Sequence, residues 1–310
     1  MTKTSKATRH GKATPPALDQ QHKYKRSAGT SAQRLAPGPA ASDWDTLLQL
    51  QATIAQTAEA IEERRAAFVA NPNDVETIHR FRTKTRTLRS LIAFIKPWHN
   101  KEQNAQAQAI LKEIVGYTSR LRELDVLEKH VRANPGSSSK LIAFCAKEAA
   151  DERAKVLKAL MSKRVTRLFQ KAMFFAKSIR WKKRYAELGL SASVARARFD
   201  ALVESVRADL ADLDLSDAEQ THDVRKRAKR ARYVAEFCGD VLGSDAVDVA
   251  KSMNVHQDTL GDVCDARANI RLLSEFLKRD LPKSVARELI HMRTHNEALL
   301  RSALKAAGAK

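Results

Sequence analysis

Residues 78–95 read IHRFRTKTRTLRSLIAFI, and residues 221–238 read THDVRKRAKRARYVAEFC. The two stretches align without a gap. His79 falls opposite His222, Arg82 opposite Arg225, Arg86 opposite Lys229, and Arg89 opposite Arg232. Offsets of zero, three, seven and ten residues are the spacing of one helix face. At 3.6 residues per turn, the four side chains fall within a sector of roughly 80° and a length of about 15 Å. Phe81, Leu88, Ile92 and Ile95 mark a separate apolar face on the first stretch, and Val224, Ala228, Ala231 and Ala235 mark one on the second. Each stretch therefore predicts an amphipathic helix that packs on one side and carries a cationic rail on an adjacent one.

Working outward, the pattern stays helical. Leu47, Leu50, Ile54, Ala58 and Ile61 recur at three- and four-residue steps in a helix that starts at Ser42 or Asp43 and runs to about Val69. Asn71-Pro72-Asn73-Asp74 is a turn, with Asn73 or Asp74 as the next N-cap, and Lys96-Pro97 ends the first rail. Residues 110–131 read as one helix, in which Arg122 and Asp125 stand three apart, a spacing that suits an ion pair. Residues 134–139 form a loop, and residues 141–188 form a long helical region broken near Ser162 or Ser178 and closed by Gly189. A helix over 194–210, an acidic turn over 212–217, the second rail, a helix over 247–277 and a last helix over 284–304 complete the chain. No segment alternates as a strand does, so the fold class is all-α.

Composition narrows the function. Lys and Arg total 56 against 36 Asp and Glu, a formal net charge of +20, which favours polyanionic partners by long-range attraction. Residues 1–42, rich in Pro, Gly, Ser and scattered Lys and Arg, read as a disordered basic tail. The three cysteines, Cys145, Cys238 and Cys264, form no CxxC pair and read as small buried residues of a reducing compartment. Without an apolar run long enough to span a bilayer, or the apolar core of a signal peptide, the expectation is a soluble cytoplasmic protein.

The rail is not the only repeated feature. His79 and His222 lie 143 residues apart and Asp125 and Asp265 lie 140 apart, so a basic helix followed by a helix with acidic residues occurs twice in the same order. That spacing is the size of a duplicated half-domain, with halves over about 43–188 and 194–305. Two four-helix bundles related by a pseudo-two-fold, rails facing each other, are the expected architecture.

The pattern H-x-x-R-x-x-x-R-x-x-R from His79, the run Leu121 to Leu127 (LRELDVL) and HDVRKRAKRARY from His222 together resemble the CHAD family, the conserved-histidine α-helical domains. The resemblance covers about residues 43–304. It implies two helical bundles around a basic surface or pore that binds inorganic polyphosphate, and for some members a place on polyphosphate granules. Where the family usually has Arg-Asp-x-Asp, this chain has Arg122-Glu123-Leu124-Asp125, and in the second half Asp262 stands at the place of Arg122. Many family members are fused to a triphosphate tunnel domain; no segment here supplies the strands that such a domain needs.

The expected polyphosphate-binding residues are His79, Arg82, Arg86, Arg89, His222, Arg225, Lys226, Lys229 and Arg232, with Arg122, Asp125 and Asp265 in support. Arg offers forked hydrogen bonds to successive phosphates and Lys a point charge. The histidines are scattered, with no HExxH or His-x-x-x-His pairing. Neither catalysis, a metal site nor a cofactor is expected. Two other readings share the electrostatics. Non-specific DNA or RNA binding lacks interleaved aromatics on the rails, aromatic residues being 5% of the chain. A scaffold that uses the basic face only to localise is the third.

Overall fold

Two of the helices predicted from the repeat meet in the interior of the molecule, and the other elements are arranged around that contact. The computed structural model describes residues 43–306; the expected basic tail, residues 1–42, lies outside them. Twelve helices follow in order: α1 (Asp43–Ala70), α2 (Val75–Phe94), α3 (Lys101–Gly116), α4 (Ser119–Ala133), α5 (Ser139–Leu160), α6 (Lys163–Lys177), α7 (Lys183–Leu188), α8 (Ala192–Ala211), α9 (Ala218–Phe237), α10 (Gly239–Leu242), α11 (Ala246–Phe276) and α12 (Lys283–Ala306). The described residues form no strand; one isolated antiparallel bridge pairs His99 with Trp181. The all-α class holds.

α2 carries the first rail and packs against α1, α3, α4 and α9; α9 carries the second and packs against α2, α8, α10 and α11. Asp74 starts α2 by accepting a bond from Glu76 N at 2.9 Å, and Asp217 starts α9 by accepting from Glu219 N and Gln220 N. Both are short oxygen side chains satisfying amides that lack partners in the first turn. The expected apolar faces are buried: Phe81, Leu88, Ile92 and Ile95 on the first stretch, Val224, Ala228, Ala231 and Ala235 on the second. Small alanines on α9 let two helices come close, since interaxial distance follows the side chains at the contact.

One hydrophobic cluster joins Ile54 of α1, Phe81 and Leu88 of α2 and Phe169 of α6 to Phe199 of α8 and Ala231 of α9. A second joins Leu127 of α4 and Cys145 of α5 to Leu273 of α11 and Leu289 of α12. Each cluster draws on both halves of the sequence, so residues distant in the chain bury one another.

Two boundaries differ from the expectation or refine it. The single helix expected over 110–131 is two, α3 and α4, separated at Tyr117-Thr118. At that turn Val115 O accepts from Thr118 N, Thr118 Oγ1 and Ser119 Oγ, and Arg82 reaches from α2 to the same carbonyl (3.2 Å) and to Thr118 Oγ1 (2.5 Å), so local and tertiary bonds together take the place of the helical ladder. In the region over 141–188 both expected breaks occur. Ser162 Oγ accepts from Val165 N to open α6, and Ser178 closes it. Gly189 ends α7 with φ +75°, and a Cβ there would stand 2.7 Å from the backbone carbon of Asp43, so glycine is required twice over.

Candidate binding cleft

The rails approach across the α2–α9 contact and open into a cleft of about 870 Å³, completed by α4 and α11. His79, Arg82 and Arg86 line it from α2, and His222, Arg225, Lys229 and Arg232 from α9. Arg122 enters from α4 and Asp265 from α11. The rails lie within electrostatic reach of each other: Lys229 of α9 helps lower the pKa of His79, and Arg86 of α2 helps lower that of His222.

Three expected residues lie elsewhere. Arg89, next on the first rail, turns to α3, where its Nε stands 3.4 Å from Gln108 Oε1 and its carbonyl accepts from Gln108 Nε2 at 2.7 Å. Lys226 is exposed and paired with Asp223 at 2.9 Å, one turn back on its own helix. Asp125 is buried behind the wall and forms an ion pair with Arg153 that ties α4 to α5. Burial pushes the Asp125 carboxyl up to about 6, against the pull of Arg153 and Arg122.

Within the cleft, positive charge is poorly compensated. Among the described residues, Arg82, Arg86, Arg122, Arg225 and Lys229 form no ion pair with a carboxylate. Burial and then the neighbouring Arg225 and Arg86 bring the Lys229 ammonium down to about 7, with Asp265 opposing them. Burial, Arg86 and Arg122 bring Arg82 down to about 9. Desolvation is also the leading cause lowering the pKa of His79 and His222, which favours their neutral imidazole forms. The Nε atoms of Arg225 and Arg232 are buried and make no hydrogen bond, although Arg232 also pairs with Glu236 at 3.0 Å. Unpaired buried cations cost free energy unless an anion accompanies them. A site that collects several is therefore suited to a multiply charged anion.

α11 supplies the part of the site that the rails did not reveal. Gln257, Gly261, Asp265 and Asn269 recur every four residues on one ridge; Gln257, Asp265 and Asn269 line the cleft and Gly261 lies against Arg225 of α9. Gly261 makes room for Arg225: a Cβ there would stand 3.3 Å from Arg225 Nη2. A glycine inside a long helix costs about 1 kcal/mol relative to alanine, and that cost is the signal by which the sequence could have pointed to a packing role here. Asn269, 3% exposed, donates to Asn296 Oδ1 at 3.1 Å, and Asn296 in turn donates to Met292 O at 2.9 Å. Arg267 is occupied, donating to Thr221 Oγ1 at 3.2 Å and to the carbonyls of Leu215 and Ser216, so it fastens the turn before α9. Glu123, Arg271, Glu275 and Arg120 form a chain of ion pairs that joins α4 to α11 beside the cleft. Among the described residues no group of three or more His, Cys, Asp or Glu stands together to hold a metal ion.

A family model described as "CHAD domain" matches residues 48–274, more than two thirds of the chain. Among solved structures, the CHAD domain from the plant Ricinus communis superposes with a TM-score of 0.69 at 23% sequence identity, covering 91% of this chain and 98% of that one. PptA from Streptomyces chartreusis superposes with a TM-score of 0.56 at 15% identity, covering 83% of this chain and 96% of that one. At these identities the superpositions speak to the fold. No curated protein matches the sequence.

Proposed function

The chain belongs to the CHAD domain family, and on that premise we propose that it binds inorganic polyphosphate in the cleft between α2 and α9. The observation that carries the reading is the set of five cleft cations without a carboxylate partner, drawn from both rails and from α4. A polyphosphate strand is a line of charges with no bases to read. Arg86, Arg122 and Arg225 would each fork onto phosphate oxygens, Lys229 would meet one as a point charge, and His79 and His222 would donate from the ends of the rails. Arg82 contributes field from the wall while its guanidinium holds the α3–α4 turn. The proposed role is binding, since the cleft sets cationic and hydrogen-bond donors along a path that a chain of phosphates can follow. Association with polyphosphate granules follows if the bound polymer is the granule's own.

Titration of polyphosphate, double-stranded DNA and single-stranded RNA at near-physiological salt tests this directly. Tightest binding to polyphosphate is expected, with a steep fall in affinity as salt rises, because each neutralised phosphate releases counterions. Substituting Arg86, Arg225 and Lys229 together by Gln should remove most of that affinity. Equal affinity for DNA, or indifference to the substitutions, would overturn the reading.

A further inference from the structure

A second cationic surface lies outside the cleft, on the end of α5, on α6 and on α7. From Arg153 to Ala186 the chain carries 12 Lys and Arg and neither Asp nor Glu. α6 buries Val165, Phe169, Ala172 and Ala176 and turns Lys163, Arg164, Arg167 and Lys171 to solvent. Arg164 and Lys177 have partners, Glu113 and Glu59, each at 2.8 Å. Lys158, Lys163, Arg167, Lys171, Lys182 and Arg184 form no ion pair among the described residues.

Bulky apolar side chains are exposed on the same surface: Phe174 (58%), Leu48 (57%), Leu188 (65%) and Trp44 (46%), with Met161 (60%) at the start of α6. Several contacts bring these elements together. Lys177 of α6 pairs with Glu59 of α1, Trp181 Nε1 donates to Gln51 Oε1 at 3.2 Å, and Leu190 N donates to Asp43 O at 2.9 Å. Leu48, Ala52 and Ala55 of α1 and Lys177 of α6 line a shallow depression between the two helices.

We propose that this face docks on the surface of a lipid bilayer carrying anionic headgroups. Charge complementarity selects an anionic partner, because Lys and Arg next to such a surface are attracted within about one Debye length. The apolar side chains select among anionic partners. A phosphate polymer or a nucleic-acid backbone offers nothing to Leu48, Leu188 or Met161. The headgroup–acyl boundary takes all of them at once: ammonium and guanidinium groups at the phosphates, Trp, Phe and Leu just below. Contact is peripheral, since no described helix is long and apolar enough to cross a membrane. α6 lies along the surface with its own apolar stripe kept inside the protein.

The full chain mixed with phosphatidylcholine vesicles, with and without phosphatidylserine, tests the proposal by flotation and by tryptophan emission. Binding is expected only with phosphatidylserine, accompanied by a blue shift that Trp44→Phe largely removes, because Trp98 is buried at 2% exposure and Trp181 is half-buried and held by Gln51. Combining Lys163→Gln, Arg167→Gln and Lys171→Gln should weaken vesicle binding about tenfold or more. Leu48→Ser with Leu188→Ser should weaken it severalfold with the thermal midpoint unchanged. A cleft variant, Arg86→Gln with Arg225→Gln, should bind vesicles as the parent does, which separates this surface from the polyphosphate reading. Failure of the folded chain to float with phosphatidylserine vesicles overturns the proposal. So does flotation that ignores the α6 charges or disappears in the cleft variant. If the α6 substitutions abolish DNA binding and leave vesicle binding intact, the face belongs to nucleic acid and the proposal fails.

Discussion

Arg82 on α2 and Arg225 on α9 occupy the same place in the repeat, yet their surroundings differ. Arg82 is 5% exposed and donates to Val115 O, Thr118 Oγ1 and Ser119 Oγ, so it works as a clasp between α2 and the α3–α4 turn. Arg225 lies over Gly261, makes no ion pair among the described residues, and keeps a buried Nε without a partner. The ends of the rails diverge as well: Arg89 turns to Gln108, while Arg232 stays in the cleft. The first rail is partly architecture. The second keeps its cations free of such partners, because α9 packs through small alanines and α11 gives Arg225 a glycine to lie on.

The sharpest way to break that contrast is stability. Arg82→Gln should lower the unfolding free energy by about 2–3 kcal/mol, because a buried carbonyl and hydroxyl lose their charged donor. Arg225→Gln should leave it within about 0.5 kcal/mol of the parent, the range of substitutions that break no buried network. Urea denaturation of both variants measures the difference. Equal losses would show that the two arginines serve alike.

Binding should invert the order. Arg225→Gln with Lys229→Gln removes two partnerless cations and should reduce the slope of log affinity against log salt by about two, with at least about tenfold weaker binding at physiological salt. Filter binding or calorimetry across a salt series reads both quantities.

Proton linkage sharpens the role of Lys229. Burial and the neighbouring arginines bring its pKa to about 7, and a bound polyanion raises it, so binding takes up protons near neutral pH. Affinity should therefore rise as pH falls from 8 to 6, and Lys229→Arg should flatten that dependence while keeping the charge. The stability of the protein on its own has the opposite sign. Between about 7 and the ordinary lysine value the unfolded chain holds the proton and the folded one does not, so this residue's contribution to stability rises with pH over that window. Calorimetry in buffers of different ionisation enthalpy, with a pH series of melts, checks both directions.

The smallest expected effect is at Gly261. Gly261→Ala improves helix propensity by up to about 1 kcal/mol but crowds Arg225 from 3.3 Å, so polyphosphate affinity should fall severalfold while the protein stays at least as stable. A variant that binds as tightly as the parent would show that Arg225 shifts without consequence.

Much of this molecule was legible in the sequence. Apolar spacing at three and four residues located the rail helices, Asn73 or Asp74 was expected to cap the first (it is Asp74), and Gly189 marked an end of a helix; the Asp217 cap of the second lies in what read only as an acidic turn. The cleft was legible in part: both histidines and five cations of the rails line it, together with Arg122 and Asp265. Lys226 was expected in the cleft and lies outside it, because Asp223, three residues back on the same helix, captures it locally. Asp125 was expected to support the site, with Arg122 at ion-pair spacing, but it pairs instead with Arg153, which comes from another helix 28 residues on.

By itself, the sequence determined which faces of α2 and α9 are charged and which are apolar, because 3.6 residues per turn place each side chain on its own helix whatever the neighbours are. It also determined the excess of positive charge that needs an anionic partner. Only the tertiary structure decided which cations stay available. That depends on what other helices present to each guanidinium — a carbonyl from the α3–α4 turn for Arg82, a bare glycine of α11 for Arg225 — and such partners meet through burial of distant segments, not through spacing along the chain.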